Sequence, residues 1–247
     1  MEFQMDSAHS HDRAQEWLRR AKASDGCEII WFDEETENDT WSIPIFQTLL
    51  GHAHKLKFLE LSTIPLDYIR ELDRLSSSCT FPSLQKLAIG IKEEGLDDWE
   101  RESMDDMPCV QLFANAPCLR ELSLIGNTPP VFLGCLPWHQ FTKYTGTGVY
   151  HEDCIDALRL GSNLVECALA AGGIDTDFVE ILIHSSLKSL TLFENGWHLS
   201  ADIFQFLTLP ALETLRILDS KYEWFSDLEF VEFLRRSSPP SANSLSD

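Results

Sequence analysis

Leu164-Val-Glu-Cys167-Ala-Leu169, Leu187-Lys-Ser-Leu190-Thr-Leu192 and Leu212-Glu-Thr-Leu215-Arg-Ile217 are three copies of one pattern, Leu-x-x-Leu-x-Leu. Working back toward the N-terminus, the pattern recurs as Leu119-Arg-Glu-Leu122-Ser-Leu124, Leu84-Gln-Lys-Leu87-Ala-Ile89 and Leu56-Lys-Phe-Leu59-Glu-Leu61. A degenerate copy, Phe141-Thr-Lys-Tyr144-Thr-Gly146, lies between them. The last two apolar positions of each copy alternate with polar or small residues, the period of a half-buried strand. The first apolar residue turns inward from the approach to that strand.

The copies start at residues 56, 84, 119, 141, 164, 187 and 212, so successive starts are 28, 35, 22, 23, 23 and 25 residues apart. These spacings centre on the roughly 20–29 residues of a leucine-rich repeat. Between the strands, return segments are predicted as helices over Leu66–Leu75, Cys109–Asn115, Asp153–Leu160, Asp177–His184, Ala201–Leu207 and Asp227–Arg236. Their apolar residues recur at helical spacing, as in Phe230, Phe233 and Leu234. A unit this small cannot bury its apolar face alone, and stacking neighbours supply the core. Parallel strands demand right-handed crossovers. The expected fold is α/β: a leucine-rich-repeat solenoid of about eight repeats, with a curved parallel sheet on the concave side and helices on the convex side.

Prolines punctuate the array. Phe81-Pro82, Ala116-Pro117, Leu136-Pro137-Trp138 and Leu209-Pro210 each precede a strand copy, where proline ends a helix and sets an extended approach. The 35-residue spacing contains Asp- and Glu-rich residues 92–107, expected to form an inserted acidic loop. Upstream, Arg13–Ala23 is expected as a helix, Cys27–Phe32 as a strand and Pro44–Leu50 as a helix, together one atypical first repeat. The expected organisation is a disordered polar N-terminus over residues 1–13, a repeat domain over 14–236 and a disordered Ser/Pro tail over 237–247. No polar-faced cap is evident after the last strand, which is therefore expected to be poorly protected.

Composition narrows the function classes. Hydrophobic residues make up 44% and charged residues 24%, which places the chain among globular proteins and not disordered ones. The formal net charge of −21 repels phosphates, so nucleic acid and anionic membrane surfaces are excluded as expected partners. The seven scattered cysteines form no Cys-x-x-Cys pair, and Cys167 occupies a position the repeat buries. Reduced thiols in an intracellular protein are the expectation, in the cytoplasm or the nucleus. Residues 1–13 lack the apolar core of a signal peptide, and no apolar run has the length of a membrane span.

A search for chemistry returns little. There is no Gly-x-Ser-x-Gly elbow, phosphate loop or complete dinucleotide fingerprint. Gly146-Thr-Gly148 is a bare Gly-x-Gly within the weakest repeat. His9-x-His11 and His52-x-His54 have no partners at ligand spacing, and the acidic pairs Asp97-Asp98 and Asp105-Asp106 belong to the expected loop. Trp17 and Trp138 are expected as packing residues. The chain is therefore expected not to be an enzyme and to carry no catalytic residues, metal or cofactor.

What remains is a surface. Residues between the buried leucines face the concave side: Phe58, Glu60, Lys86, Ala88, Glu121, Ser123, Lys143, Thr145, Glu166, Ala168, Ser189, Thr191, Phe193, Thr214 and Arg216. Such a face is the usual site at which a solenoid binds protein.

Several longer motifs resemble a known family. Trp17-Leu18-Arg-Arg, Phe81-Pro-Ser-Leu-Gln-Lys-Leu, Ala116-Pro-Cys-Leu-Arg-Glu-Leu, Leu136-Pro-Trp-His-Gln-Phe-Thr, Asn163-Leu-Val-Glu-Cys and Pro210-Ala-Leu-Glu-Thr-Leu resemble the repeat region of fungal F-box proteins, especially those of mushroom-forming fungi. The resemblance covers residues 14–236. It implies that the repeats recruit substrate, while an N-terminal F-box docks on the adaptor of a cullin-based ubiquitin ligase. The family's Leu-Pro-x-Glu-type F-box does not precede Trp17, so the expectation is a truncated member. Two functions stay open: a non-catalytic interaction scaffold serving as the substrate-recognition region of an F-box-type receptor, or a repeat remnant acting as a stand-alone binder with no ligase role. The ubiquitin-ligase adaptor is a partner only in the first.

Overall fold

The computed structural model describes residues 2–5, 27–31, 43–65, 68, 71, 74, 79–91, 110–126, 128–147, 151–170, 180–193, 201–218 and 227–238. The chain is α/β with parallel strand pairing, and divides into two compact units, residues 1–140 and 141–247. Of the sequence expectations, the helix over Arg13–Ala23 with Trp17 and the acidic loop over residues 92–107 lie outside the described residues, as do residues 239–247 of the expected tail.

In the first unit, β1 (Glu2–Met5), β2 (Cys27–Trp31), β3 (Leu56–Ile64), β4 (Lys86–Ile91) and β5 (Glu121–Ile125) pair in chain order. Each pair is parallel. The register aligns the repeat positions: Leu59 opposes Leu87, which opposes Leu122, and Leu61, Ile89 and Leu124 form the next layer. All six are at most 2% exposed. Helix α1 (Ile43–Leu50) precedes β3 and buries Phe46, Leu49 and Leu50.

The second unit repeats the scheme. β6 (Lys143–Gly146), β7 (Glu166–Leu169), β9 (Ser189–Phe193) and β11 (Thr214–Leu218) pair in parallel, aligning Tyr144, Cys167, Leu190 and Leu215 in one layer. Two short strands, β8 (Leu182–Ile183) and β10 (Leu207–Thr208), form a separate parallel pair. Helix α2 (His151–Leu160) buries Cys154, Ile155, Ala157 and Leu158, with Glu152 and Asp153 in its first turn and Arg159 in its last. That charge order complements the helix dipole.

The strand entrances share one hydrogen-bonding device. Arg120 and Glu121 N–H both donate to the Gln85 carbonyl; Val165 and Glu166 donate to Thr142, Lys188 and Ser189 to Val165, and Glu213 and Thr214 to Lys188. Just upstream, the Leu84, Leu119, Leu164 and Leu212 N–H groups reach back three residues to Phe81, Ala116, Gly161 and Leu209. This refines the role of the prolines. Pro82, Pro117 and Pro210 occupy the second position of these hydrogen-bonded turns, where a fixed φ near −65° is preorganised and a missing N–H costs nothing.

Several expectations are corrected. Glu2–Met5, expected within a disordered polar segment, is a strand whose Phe3 opposes Ile29; the polar-apolar alternation of Glu2-Phe3-Gln4-Met5 is a strand period. The described part of Cys109–Asn115 is a series of turns, closed by Ala114 N–H to the Gln111 carbonyl. The segment lies between Pro108 and Pro117, and so few residues cannot offset the cost of nucleating a helix. Val110, Leu112 and Phe113 are nonetheless buried, so their packing is kept without helical geometry. The described part of Asp177–His184 forms β8, because Ile181-Leu182-Ile183 is a short apolar run that periodicity cannot assign. The Ala201–Leu207 segment is a 3-10 helix over Ala201–Phe206 that gives way to β10.

The C-terminal end is also better built than expected on one side. Helix α3 (Asp227–Ser237) packs its Phe233 ring 4.8 Å and its Phe230 ring 5.3 Å from Phe204, and Phe233 is fully buried. Arg236 Nη2 donates to the Phe204 carbonyl at 2.7 Å, and Ser237 Oγ accepts from the Leu209 N–H at 2.9 Å. Ser237 therefore closes a helix, where the tail was expected to begin. On the sheet side the expectation of weaker protection stands: Leu215 and Ile217 are half-buried, whereas their neighbours Leu190 and Leu192 are fully buried.

Candidate functional site

Strand alternation places each named surface residue opposite the buried layers, and the register sorts them into rows. In the first unit, Phe58, Lys86 and Glu121 form one row and Glu60, Ala88 and Ser123 the next. In the second, Lys143, Glu166, Ser189 and Thr214 form one row and Thr145, Ala168, Thr191 and Arg216 the next, with Phe193 opposite Leu218 beyond them. All are half-buried or exposed except Ala88, which is 5% exposed between Glu60 and Ser123.

Opposite charges meet across the strands. Lys86 Nζ lies 2.8 Å from Glu121 Oε2, and Lys143 Nζ lies 3.4 Å from Glu166 Oε2. At the strand entrance Lys188 Nζ lies 2.8 Å from Glu213 Oε1, and this hydrogen bond raises the Lys188 ammonium pKa above its ordinary value. Exposed pairs of this kind add little stability. They fix the orientation of charge on the face and leave it close to neutral row by row, although the chain as a whole is strongly acidic.

Beneath the second unit's rows is a buried polarisable cluster. Burial pushes the Cys154 thiol up to about 12, with the neighbouring Asp153 charge adding to it. Burial also raises Cys167 and Tyr144, and the groups reinforce one another. The thiolate is the nucleophile, so these cysteines stay protonated near neutral pH and pack as small hydrophobes. Cys79, Cys118 and Cys135 are half-buried or exposed.

The remaining candidates resolve into structural roles. Gly146 ends β6, and a Cβ there would sit 2.5 Å from Tyr144 Oη, so the glycine makes room for a ring. Trp138 is 4% exposed and donates from Nε1 to the Leu133 carbonyl at 3.0 Å. His54 is exposed and His52 half-buried, while His9 and His11 lie outside the described residues. Among the described residues no group of three or more His, Cys, Asp or Glu could hold a metal ion, and no helix is long and apolar enough to cross a membrane.

Two polar residues escaped the sequence reading. Thr128, 2% exposed, accepts the Ile91 N–H at 3.0 Å and donates to the Ile125 carbonyl at 2.9 Å, tying the ends of β4 and β5 together. His184, 3% exposed, holds Nε2 at 3.0 Å from the Gly161 carbonyl while its backbone N–H donates to the Thr208 carbonyl. Neither belongs to a recognisable motif; the only signal was a polar residue at the edge of an apolar run.

No protein-family model matches the chain, and neither a curated protein nor a solved structure matches it.

Proposed function

We propose that the chain is a leucine-rich-repeat solenoid acting as a non-catalytic protein-binding scaffold, with the exposed sheet face as its binding surface. The observation that carries this reading is the register. Within each unit the Leu-x-x-Leu-x-Leu copies set their second and third positions in two stacked layers and their intervening residues in rows on the other side. The repeated strand-entrance hydrogen bonds support a single structural unit used many times. In each unit, a face of mixed charge, hydroxyls and one aromatic, Phe58 in the first and Phe193 in the second, suits a protein partner better than a small molecule, which needs a concave apolar pocket.

The test is an affinity purification from native lysate with the intact chain and with a Thr145→Arg/Thr191→Arg variant, whose substitutions fall in one row. Proteins enriched on the first and lost on the second support the reading. Equal recovery on both removes the face from the account.

A more specific reading is that the repeats recruit substrate to a cullin-based ubiquitin ligase. The strand entrance Leu136-Pro137-Trp138, with Trp138 buried, and Asn163-Leu164-Val165-Glu166-Cys167, with Leu164 and Cys167 buried, favour it through the family resemblance. Adaptor and cullin subunits co-purifying above background support it. Without them the stand-alone binder remains, in the cytoplasm or nucleus.

A further inference from the structure

Arg216 stands apart from the other described lysines and arginines of its unit. Among the described residues of 141–247, Lys143 pairs with Glu166, Lys188 with Glu213, Arg159 with Asp156 and Glu180, and Arg235 with Glu232. Arg236 is occupied by backbone carbonyls. Arg216 is exposed, lies on the sheet face and has no carboxylate partner among the described residues. In a chain of net charge −21 an unpaired arginine on the proposed binding face is an opportunity for an incoming anion.

Its surroundings define the rest of the ligand. The row leading to it is Thr145, Ala168 and Thr191, all small, so no long side chain stands along that row. One row further along the strands, Phe193 opposes Leu218, whose side chain is 58% exposed. Strand neighbours lie about 4.8 Å apart and same-face residues about 6–7 Å, so a cation and an apolar pair sit within one dipeptide's reach.

We infer that the β9–β11 face binds an extended protein segment carrying an acidic side chain against Arg216 beside an apolar side chain against Phe193 and Leu218. Charge complementarity selects the acid: the guanidinium offers a planar fork that matches a carboxylate with two hydrogen bonds. The small residues of that row leave room for a peptide backbone, and the apolar pair supplies the area an anchor side chain buries. This inference rests on the scaffold reading.

The test is a random-peptide phage selection on the intact chain and, in parallel, on Arg216→Glu. Recovered peptides are then titrated by fluorescence anisotropy against the intact chain, Arg216→Gln and, on the other unit's face, Ser123→Arg. Arg216 is exposed, so its variants keep the fold, which circular dichroism verifies. The inference predicts a consensus with Asp or Glu beside an aliphatic or aromatic residue. Its binding weakens about tenfold or more in Arg216→Gln, is unaffected by Ser123→Arg, and gives way to a basic consensus on Arg216→Glu. Peptides indifferent to Arg216 but sensitive to Ser123→Arg overturn the inference and leave the scaffold reading standing. Peptides indifferent to every face substitution, or no consensus at all, overturn both.

Discussion

The ring of Tyr144 occupies the space that a side chain at position 146 would need: a Cβ on Gly146 would meet Tyr144 Oη at 2.5 Å and Cζ at 2.8 Å. The degenerate repeat Phe141–Gly146 is thus a solution with a large residue at its second apolar position and none at its third. The next strand, β7, uses the reverse balance, Cys167 with Leu169. Gly146→Ala should cost about 1–3 kcal/mol in urea denaturation, the range of an overpacked core. In a Tyr144→Phe background, which removes the nearest atom, the same substitution should cost less. Equal costs in both backgrounds would show that the ring and the glycine are not coupled.

Thr128 should be worth more than its size suggests. Thr128→Val keeps the shape but strips the Ile91 N–H of its acceptor at a buried site. Leaving a buried donor unsatisfied costs about 1–3 kcal/mol. Hydrogen exchange should accelerate at Ile91 more than at Leu122, and an unchanged Ile91 rate would contradict the role given to the hydroxyl.

The buried thiols predict an alkaline limit. The folded state raises Cys154 from its ordinary 9.0 to about 12. A raised value means stability that is fully present below about pH 9 and lost as pH climbs toward 12, because the unfolded thiol ionises first. For Cys154 alone the loss reaches about 4 kcal/mol at the top of that window. Cys167 and Tyr144 act in the same direction. The urea midpoint should fall steadily above pH 9, and Cys154→Ala should flatten the slope without abolishing it. A midpoint constant from pH 8 to 11 would refute this.

The charge pairs of the face should matter little for folding. A double-mutant cycle on Lys86 and Glu121 should give a coupling below about 1 kcal/mol, shrinking in 1 M salt. A larger, salt-insensitive coupling would mean that the pair is structural and the face less free to bind.

How much of this was legible in the sequence depends on the period involved. The strand copies were, because buried leucines at positions such as 59, 61, 87 and 122 repeat every second residue whatever the return segment does. The return segments were less so. Val110, Leu112 and Phe113 satisfy helical and turn packing alike, and Leu182–Ile183 is too short for periodicity to separate a strand from a helix. The row of candidate surface residues follows from alternation alone. Which of its charges are already paired does not, since Lys143–Glu166, and Arg216 with no carboxylate partner among the described residues, depend on cross-strand register. Thr128 and His184 were illegible because their partners, Ile91 and Gly161, are brought to them only by the fold.

Site-specific photocrosslinking in native lysate shows whether the sheet face receives a protein partner. A photoreactive residue is placed singly at Thr191 on the face or at Gln205, exposed on a return segment. The account predicts a discrete protein adduct from position 191 and none above background from 205. Adducts from position 205 with none from 191 would contradict it.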